Sequence, residues 1–236
     1  MALNQGLEIT WLGHSTFKIR HQDKNILLDP WVMNNPACPD NLKKFDAIDT
    51  MCITHGHFDH IGDAVELGKQ HKPQVVGIFE TCLWLQKKGV ENTHPMNKGG
   101  SQTINGIRYT MVHADHSCGI TDADQILYGG EAVGYVLTFP NGFKIYHAGD
   151  TNVFGDMALI AELYRPDLAM IPIGDLYTMS PVEAAKAVSL LKPKYVIPMH
   201  YGTFPALTGT PEDLRRLTRE IAGLELFAPK IGETLK

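Results

Sequence analysis

Cysteine is scarce in this chain of 236 residues, and the four present, Cys38, Cys52, Cys82 and Cys118, stand far apart with no C-x-x-C pair. That argues against a thiolate zinc site and against a disulfide framework, and it fits a reducing compartment. Long basic runs are also missing, and 26 Asp plus Glu against 21 Lys plus Arg leave a formal charge of −5. A broad cationic face for extended nucleic acid is therefore not expected, although a nucleotide-sized phosphodiester stays within reach as a substrate. No run of about 18 apolar residues occurs to cross a membrane. The opening Met1-Ala-Leu-Asn-Gln-Gly lacks the charged start and apolar stretch of a secretory leader. The expectation is a soluble, cytoplasmic protein acting on a small-molecule substrate, with a homo-oligomer left open. Gly-x-Ser-x-Gly is absent too, which weakens any acyl-serine route.

What the chain does have is His55-Gly-His57-Phe-Asp59-His60, directly behind the apolar run Met51-Cys-Ile-Thr. Three imidazoles and a carboxylate within six residues cannot all enter a core without leaving polar groups unpaired. Chance produces this pattern in roughly one or two per thousand sequences of this composition. Residues i and i+2 leaving a strand point to the same side, so His55 and His57 can share one ion, while Asp59 and His60 swing toward a second position. Two divalent ions are the natural count.

Residues 7–21 partly alternate apolar and polar positions, and Ile26-Leu-Leu-Asp-Pro follows a turn-like Gln22-Asp-Lys-Asn, which predicts a hairpin opening a sheet. Residues 31–45 read as a loop, 47–54 as a short buried strand, 62–71 as a helix, 75–79 as an inner strand and 80–88 as a helix stopped by Gly89. Strands are expected at 107–113, 134–139 and 143–147, the last two joined by the hairpin signal Pro140-Asn-Gly. Beyond Asp150 the pattern becomes helix 157–164, strand 168–172, helix 181–191, strand 195–198 and a last helix 211–222 before a short terminal strand. Strands in both halves, each half with helices, suit sheet packed on sheet with helices outside, in one domain spanning 1–236.

Further candidate ligands lie where predicted strands have just ended: His113-Ala-Asp115-His116-Ser117, Gly149-Asp150-Thr151 and Met199-His200-Tyr201-Gly202. With His55, His57, Asp59 and His60 they resemble the metallo-β-lactamase superfamily. Trp11-Leu-Gly-His-Ser, Leu28-Asp-Pro, His147-Ala-Gly-Asp-Thr and Pro198-Met-His-Tyr-Gly resemble its branch of metal-dependent hydrolases near the ascorbate-phosphate lactonases. The resemblance spans nearly the whole chain. It implies an α/β fold, an αββα four-layer sandwich with a binuclear site at one edge of the two sheets.

By the same resemblance His55, His57 and His116 hold the first ion, Asp59, His60 and His200 the second, and Asp150 bridges both. For the third motif His116 is taken because it precedes the small polar Ser117, with His113, still within the strand, as the alternative. His14 stands open between an orienting or substrate-touching role and simple burial, and with Asp59 it is a catalytic candidate; for His147 the structural role is favoured. Asp29 resembles the family's early aspartate that accepts a hydrogen bond from a ligand histidine. A di-iron redox relative would carry Glu at position 57, and the commonest zinc β-lactamases Arg at position 60 and a cysteine ligand; this chain has His in both places.

The expected chemistry is hydrolysis by a hydroxide bridged between two metal ions, cleaving an ester, lactone, amide or phosphodiester, with Asp59 able to take a proton. Imidazole and carboxylate donors suit zinc first, with manganese or iron as alternatives. A non-catalytic metal-binding or ligand-sensing protein on the same fold is the other reading. Residues 31–45, 117–132 and 174–179 are the loops expected to set specificity. They carry few cations, Lys43 and Lys44 being the obvious pair, while Tyr128, Tyr177 and Tyr201 are candidate donors.

Overall fold

The computed structural model describes residue 3 and residues 5–236; residues 1, 2 and 4, part of the segment read above for a leader, lie outside the described residues. The first half runs β1 (Leu7–Gly13), β2 (Thr16–His21), β3 (Lys24–Leu28), β4 (Thr50–Cys52), α1 (Phe58–Ile61), α2 (Ala64–His71), β5 (Gln74–Ile78), α3 (Phe79–Lys87) and β6 (Thr93–Met96). The second runs β7 (Ser101–Ile104), β8 (Ile107–His113), β9 (Gly119–Asp122), β10 (Gln125–Tyr128), β11 (Val133–Thr138), β12 (Lys144–His147), α4 (Met157–Tyr164), β13 (Leu168–Pro172), α5 (Pro181–Leu191), β14 (Tyr195–Met199), α6 (Pro211–Thr218), β15 (Glu225–Leu226) and β16 (Thr234–Leu235).

Two seven-stranded sheets result, in the orders β16-β1-β2-β3-β4-β5-β6 and β15-β14-β13-β12-β11-β8-β7. Each is antiparallel over three neighbouring pairs and parallel over the other three. The parallel halves need helical crossovers, which cover the outer faces. Alternation along each strand divides the side chains. Ile26, Leu28, Cys52 and Val76 join the core between the sheets, facing Tyr109, Met111, Tyr135 and Leu137. Their neighbours Leu27, Met51, Ile53 and Val75 pack outward under Ile61, Ala64, Leu67 and Leu85 of the first helical layer. On the other sheet Met157, Ile160, Ala184, Val188 and Leu214 close the outer face. The αββα layering follows from both sheets being buried on both sides.

The hairpin at Pro140-Asn-Gly forms as its residues predict: Phe139 N–H donates to the Phe143 carbonyl at 2.9 Å and Gly142 takes φ 87°. Helix α5 carries a full capping box, Ser180 accepting from the Glu183 amide while the Glu183 carboxylate accepts from the Ser180 amide, with Pro181 at its first position. Three expectations need correction. The segment 117–132, expected as a loop, contains the β9–β10 hairpin; the strand expected over 47–54 is hydrogen-bonded only over Thr50–Cys52, its end opening toward the histidines; and the last helix stops at Thr218 rather than at 222. All four cysteines are buried and free. No helix among the described residues is long and apolar enough to cross a membrane.

Candidate metal centre

Each chemistry-bearing side chain sits just past the end of a strand, on one edge of the sandwich. His14 follows β1, Asp29 follows β3, Thr54 and His55 follow β4, His116 follows β8, Asp150 follows β12 and His200 follows β14, while His57, Asp59 and His60 belong to the short helix α1 and its N-cap. Such placement needs sharp exits: His14, Asp29 and His200 take φ of 54°, 46° and 57°, a left-handed backbone that non-glycine residues adopt at a cost of about 1–2 kcal/mol.

His55 Nε2 lies 3.0 Å from His57 Nδ1, which lies 3.3 Å from His116 Nε2. The Thr54 hydroxyl donates its one proton to Asp29 Oδ2 at 2.8 Å, so the 3.0 Å contact between Thr54 Oγ1 and His55 Nδ1 must be donated by the imidazole. His55 Nε2 therefore carries a lone pair. The Ser117 hydroxyl, 3.2 Å from His57 Nε2, can accept the proton of that ring and leave a lone pair on Nδ1. Two lone pairs facing each other at such a distance repel unless a cation lies between them, and nitrogens bound at about 2.0–2.1 Å to a tetrahedral ion are themselves about 3.3 Å apart. Burial pushes the pKa values of His55, His57 and His116 down, so all three offer neutral rings.

Beside this trio, His14, Asp59, His60 and His200 bring ligand atoms within 4.8 Å of one another, and so do His55, His60 and Asp150. Asp150 faces both groups: its Oδ2 is 3.0 Å from His200 Nε2, 3.8 Å from His116 Nε2 and 3.9 Å from His55 Nε2, and its Oδ1 is 3.2 Å from His60 Nε2. Burial would raise the Asp150 carboxyl, but His200 and His60 hold it well below the usual range. Burial likewise would lower His60 and His200, yet Asp150 dominates and lifts both, His200 to about 9. Desolvation would raise Asp59 as well, and the hydrogen bond from His14 at 2.9 Å, with His200 Nε2 3.7 Å away, outweighs it and keeps that carboxyl low. The buried Asp150 and the half-buried Asp59 carboxylates thus demand positive charge. His60 Nε2, Asp150 Oδ1 and His200 Nε2 are buried without a hydrogen-bond partner, as expected of atoms that ligate an ion.

Behind the ligand atoms, Asp29 accepts from His60 Nδ1 and from the Thr54 amide and hydroxyl, all at 2.8 Å. One carboxylate so orients His60 directly and His55 through Thr54. His14 is buried, its Nε2 2.9 Å from Asp59 Oδ2 and its Nδ1 3.0 Å from the Thr203 hydroxyl. With Nε2–H donating to Asp59 and the Thr203 hydroxyl donating to Nδ1, the ring is neutral; burial pushes its pKa down to about 4 against the pull of Asp59.

The structure brings His55, His57, Asp59, His60, His116, Asp150, His200 and His14 together. His113 stands apart at the exposed end of β8, its Nδ1 3.2 Å from Lys98 Nζ and its ring against Phe154. His147 is spent on backbone, Nε2–H donating to the Ser15 carbonyl and Nδ1 accepting from the Gly149 amide, each at 3.2 Å. A cleft of about 560 Å³ opens over the cluster. Of the three tyrosines Tyr177 lines it, whereas Tyr128 faces a different cavity and Tyr201 stacks on Trp11. Lys43 pairs with Asp40 and neither it nor Lys44 reaches the cleft. Phe58, Phe204, Ala206 and Leu207 also form its walls. The last three, with Thr203, went unread in the sequence, although they directly follow the Pro198-Met-His-Tyr-Gly motif. A larger surface cleft, about 740 Å³ between α4 and α5, touches none of these groups.

The chain is similar to known proteins over nearly its whole length. A family model described as a beta-lactamase superfamily domain matches residues 8–200. A UPF0173 metal-dependent hydrolase of Koribacter versatilis is 59% identical over 231 residues, 98% of each chain. Another from Solibacter usitatus is 60% identical over 220 residues, 93% of this chain and 94% of its own. Among solved structures, Igni18, a metallo hydrolase from the archaeon Ignicoccus hospitalis, superposes with a TM-score of 0.85 at 34% identity over 97% of both chains.

Proposed function

This chain belongs to the metallo-β-lactamase superfamily, and from that premise we propose that it is a hydrolase that holds two divalent ions. His55, His57 and His116 are the ligands of one, Asp59, His60 and His200 of the other, with Asp150 shared. The carrying observation is the set of buried, unpartnered atoms at His60 Nε2, Asp150 Oδ1 and His200, side by side with imidazole nitrogens that face each other 3.0 Å apart. The relatives' name, metal-dependent hydrolase, supports the same reading. Imidazole and carboxylate donors suit zinc first. Ions held by these residues would supply Lewis acidity and would lower the pKa of a water toward neutrality.

The chain's own groups divide the remaining work. Asp59, 15% exposed at its side chain, opens onto the cleft and is the group able to accept a proton there. His14 positions that carboxylate through its Nε2–H, and Thr203 fixes the His14 ring in turn. Tyr177, largely exposed on the cleft wall, is placed to donate to a carbonyl or leaving oxygen. Metal analysis joined to a hydrolysis screen of lactones, aryl esters, phosphodiesters and β-lactams tests the proposal. The native protein is expected to bind two ions and to turn over at least one class, and His57→Ala to lose metal and hydrolysis together. Full activity in His57→Ala, or two bound ions with no turnover across the screen, would overturn it.

A further inference from the structure

Two cavities meet at Phe58. The cleft over the cluster and a second cavity of about 310 Å³, lined by Trp31, Ile61, Val65 and Trp84, have Phe58 and Thr121 as their common wall. Phe58 opens α1 between His57 and Asp59, so one residue on either side ties its ring to the reaction centre. It is 60% exposed, and what holds it is Trp31, only 3% exposed. The Trp31 ring meets Phe58 edge-on at 5.8 Å and 88° and lies 6.0 Å from Phe204 at 31°. Trp31 in turn lies against Gly62, where a Cβ would come within 2.8 Å of the indole. The partition is therefore an aromatic block seated on a buried ring.

Among the described residues, no lysine or arginine lines either cavity. An anionic group remote from the bond being cleaved would lose its hydration there with no counter-charge, while an apolar group would gain from burial. Resting on the hydrolase reading above, we infer that the substrate is an uncharged acyl compound, an ester, lactone or amide with an apolar acyl chain, and that Phe58 limits the length of that chain by closing off the second cavity. One water is consumed: its oxygen stays on the acyl carbon, the acyl C–O or C–N bond breaks, and the leaving oxygen or nitrogen takes up a proton.

The test uses the metal-loaded protein and p-nitrophenyl esters from acetate to decanoate, with the anionic mono-p-nitrophenyl succinate beside the similar-sized butyrate. The native protein is expected to favour butyrate over the succinate by about tenfold or more in kcat/KM, and Phe58→Ala to raise the decanoate-to-butyrate ratio by about tenfold, chiefly through KM. Phe58→Trp is expected to lower that ratio, and thermal unfolding of both variants checks that they fold. Preference for the succinate, or a ratio unmoved by both substitutions, overturns the inference while leaving the hydrolase reading intact. If no p-nitrophenyl ester is cleaved, the hydrolase reading stands or falls with the wider screen above, and binding decides the pocket: the change in tryptophan emission on adding octan-1-ol against butan-1-ol, in metal-free native and Phe58→Ala protein. A preference for octanol strengthened by Phe58→Ala supports the partition; an unchanged one removes it.

Discussion

Replacing Asp29 by Asn asks whether one buried carboxylate holds both halves of the cluster. Its Oδ1 accepts from the Thr54 amide, and its Oδ2 from the Thr54 hydroxyl and His60 Nδ1, at 2.8 Å each. A carboxamide has one acceptor oxygen, so in either orientation its NH2 group faces a donor. If the oxygen takes the Oδ2 position, the Thr54 amide, which cannot rotate, is left unpaired. If the group is flipped, His60 loses its acceptor. At least one charge-assisted bond worth about 1.5–3 kcal/mol disappears, and the orphaned buried donor adds about 1–3 kcal/mol. A loss of about 3–5 kcal/mol, at about 2–4 °C per kcal/mol for a chain of this size, lowers the Tm of the metal-free protein by roughly 6–20 °C. His60, and through Thr54 also His55, are then free to turn, which weakens metal binding by about 10- to 100-fold. Circular-dichroism melts of the metal-free protein and zinc competition against a chromophoric chelator measure the two effects. Unchanged Tm and unchanged affinity together would refute the reasoning.

Other substitutions probe separate links. His116→Ala is expected to remove one ion of two, whereas His113→Ala, at an exposed ring beside Lys98, keeps both; metal-to-protein ratios after gel filtration decide, and greater loss in His113→Ala reverses the assignment. Gly174 lies so close to the His200 carbonyl that no Cβ fits, so Gly174→Ala costs about 1–3 kcal/mol by overpacking and displaces His200. Unfolding midpoints in urea together with metal content check it, and a variant with native values for both would show that the strand ends yield freely.

The clustering of these side chains was legible in the sequence because the candidates are local. Six residues carry four of them, and the others trail apolar runs that mark strand ends. The inner strands read clearly for the same reason: β11, β13 and β14 are almost wholly buried, and continuous apolar runs leave no other reading. Edge elements did not. β6 is Thr-His-Pro-Met and β7 Ser-Gln-Thr-Ile, each with a single buried residue at its end, so the sequence shows no apolar period of two. The β9–β10 hairpin stands as a separate two-stranded sheet whose second strand is largely exposed. The pairing of β16 with β1 joins Leu235 to Ile9 across the whole chain, which local patterns cannot encode. Thr203 and Phe204 were missed for a related reason: they have no periodicity of their own, and only the exit of β14 brings them to His14 and Trp31.

That exit carries strain, and what holds it is open to measurement. His14 and His200 both have left-handed backbones, and the His14 carbonyl accepts two bonds, from the Trp11 indole N–H at 2.9 Å and from the His200 amide at 3.0 Å. The two strained residues are thus latched to each other, with Trp11 as the third point. Trp11→Phe removes one donor and keeps a ring to stack on Tyr201, which lies 5.1 Å away at 29°. Loss of the bond costs about 0.5–1.5 kcal/mol, and the effect on metal should be selective. His14 and His200 belong to the group around Asp59 and His60, whereas His55, His57 and His116 hang from β4, α1 and β8. Stepwise zinc titration is expected to show one step falling severalfold and the other unchanged. Tyr201→Leu, which removes the stacking but leaves the indole donor, separates the causes: if it weakens zinc binding as much as Trp11→Phe does, packing rather than the indole hydrogen bond holds His14, and the latch is wrong.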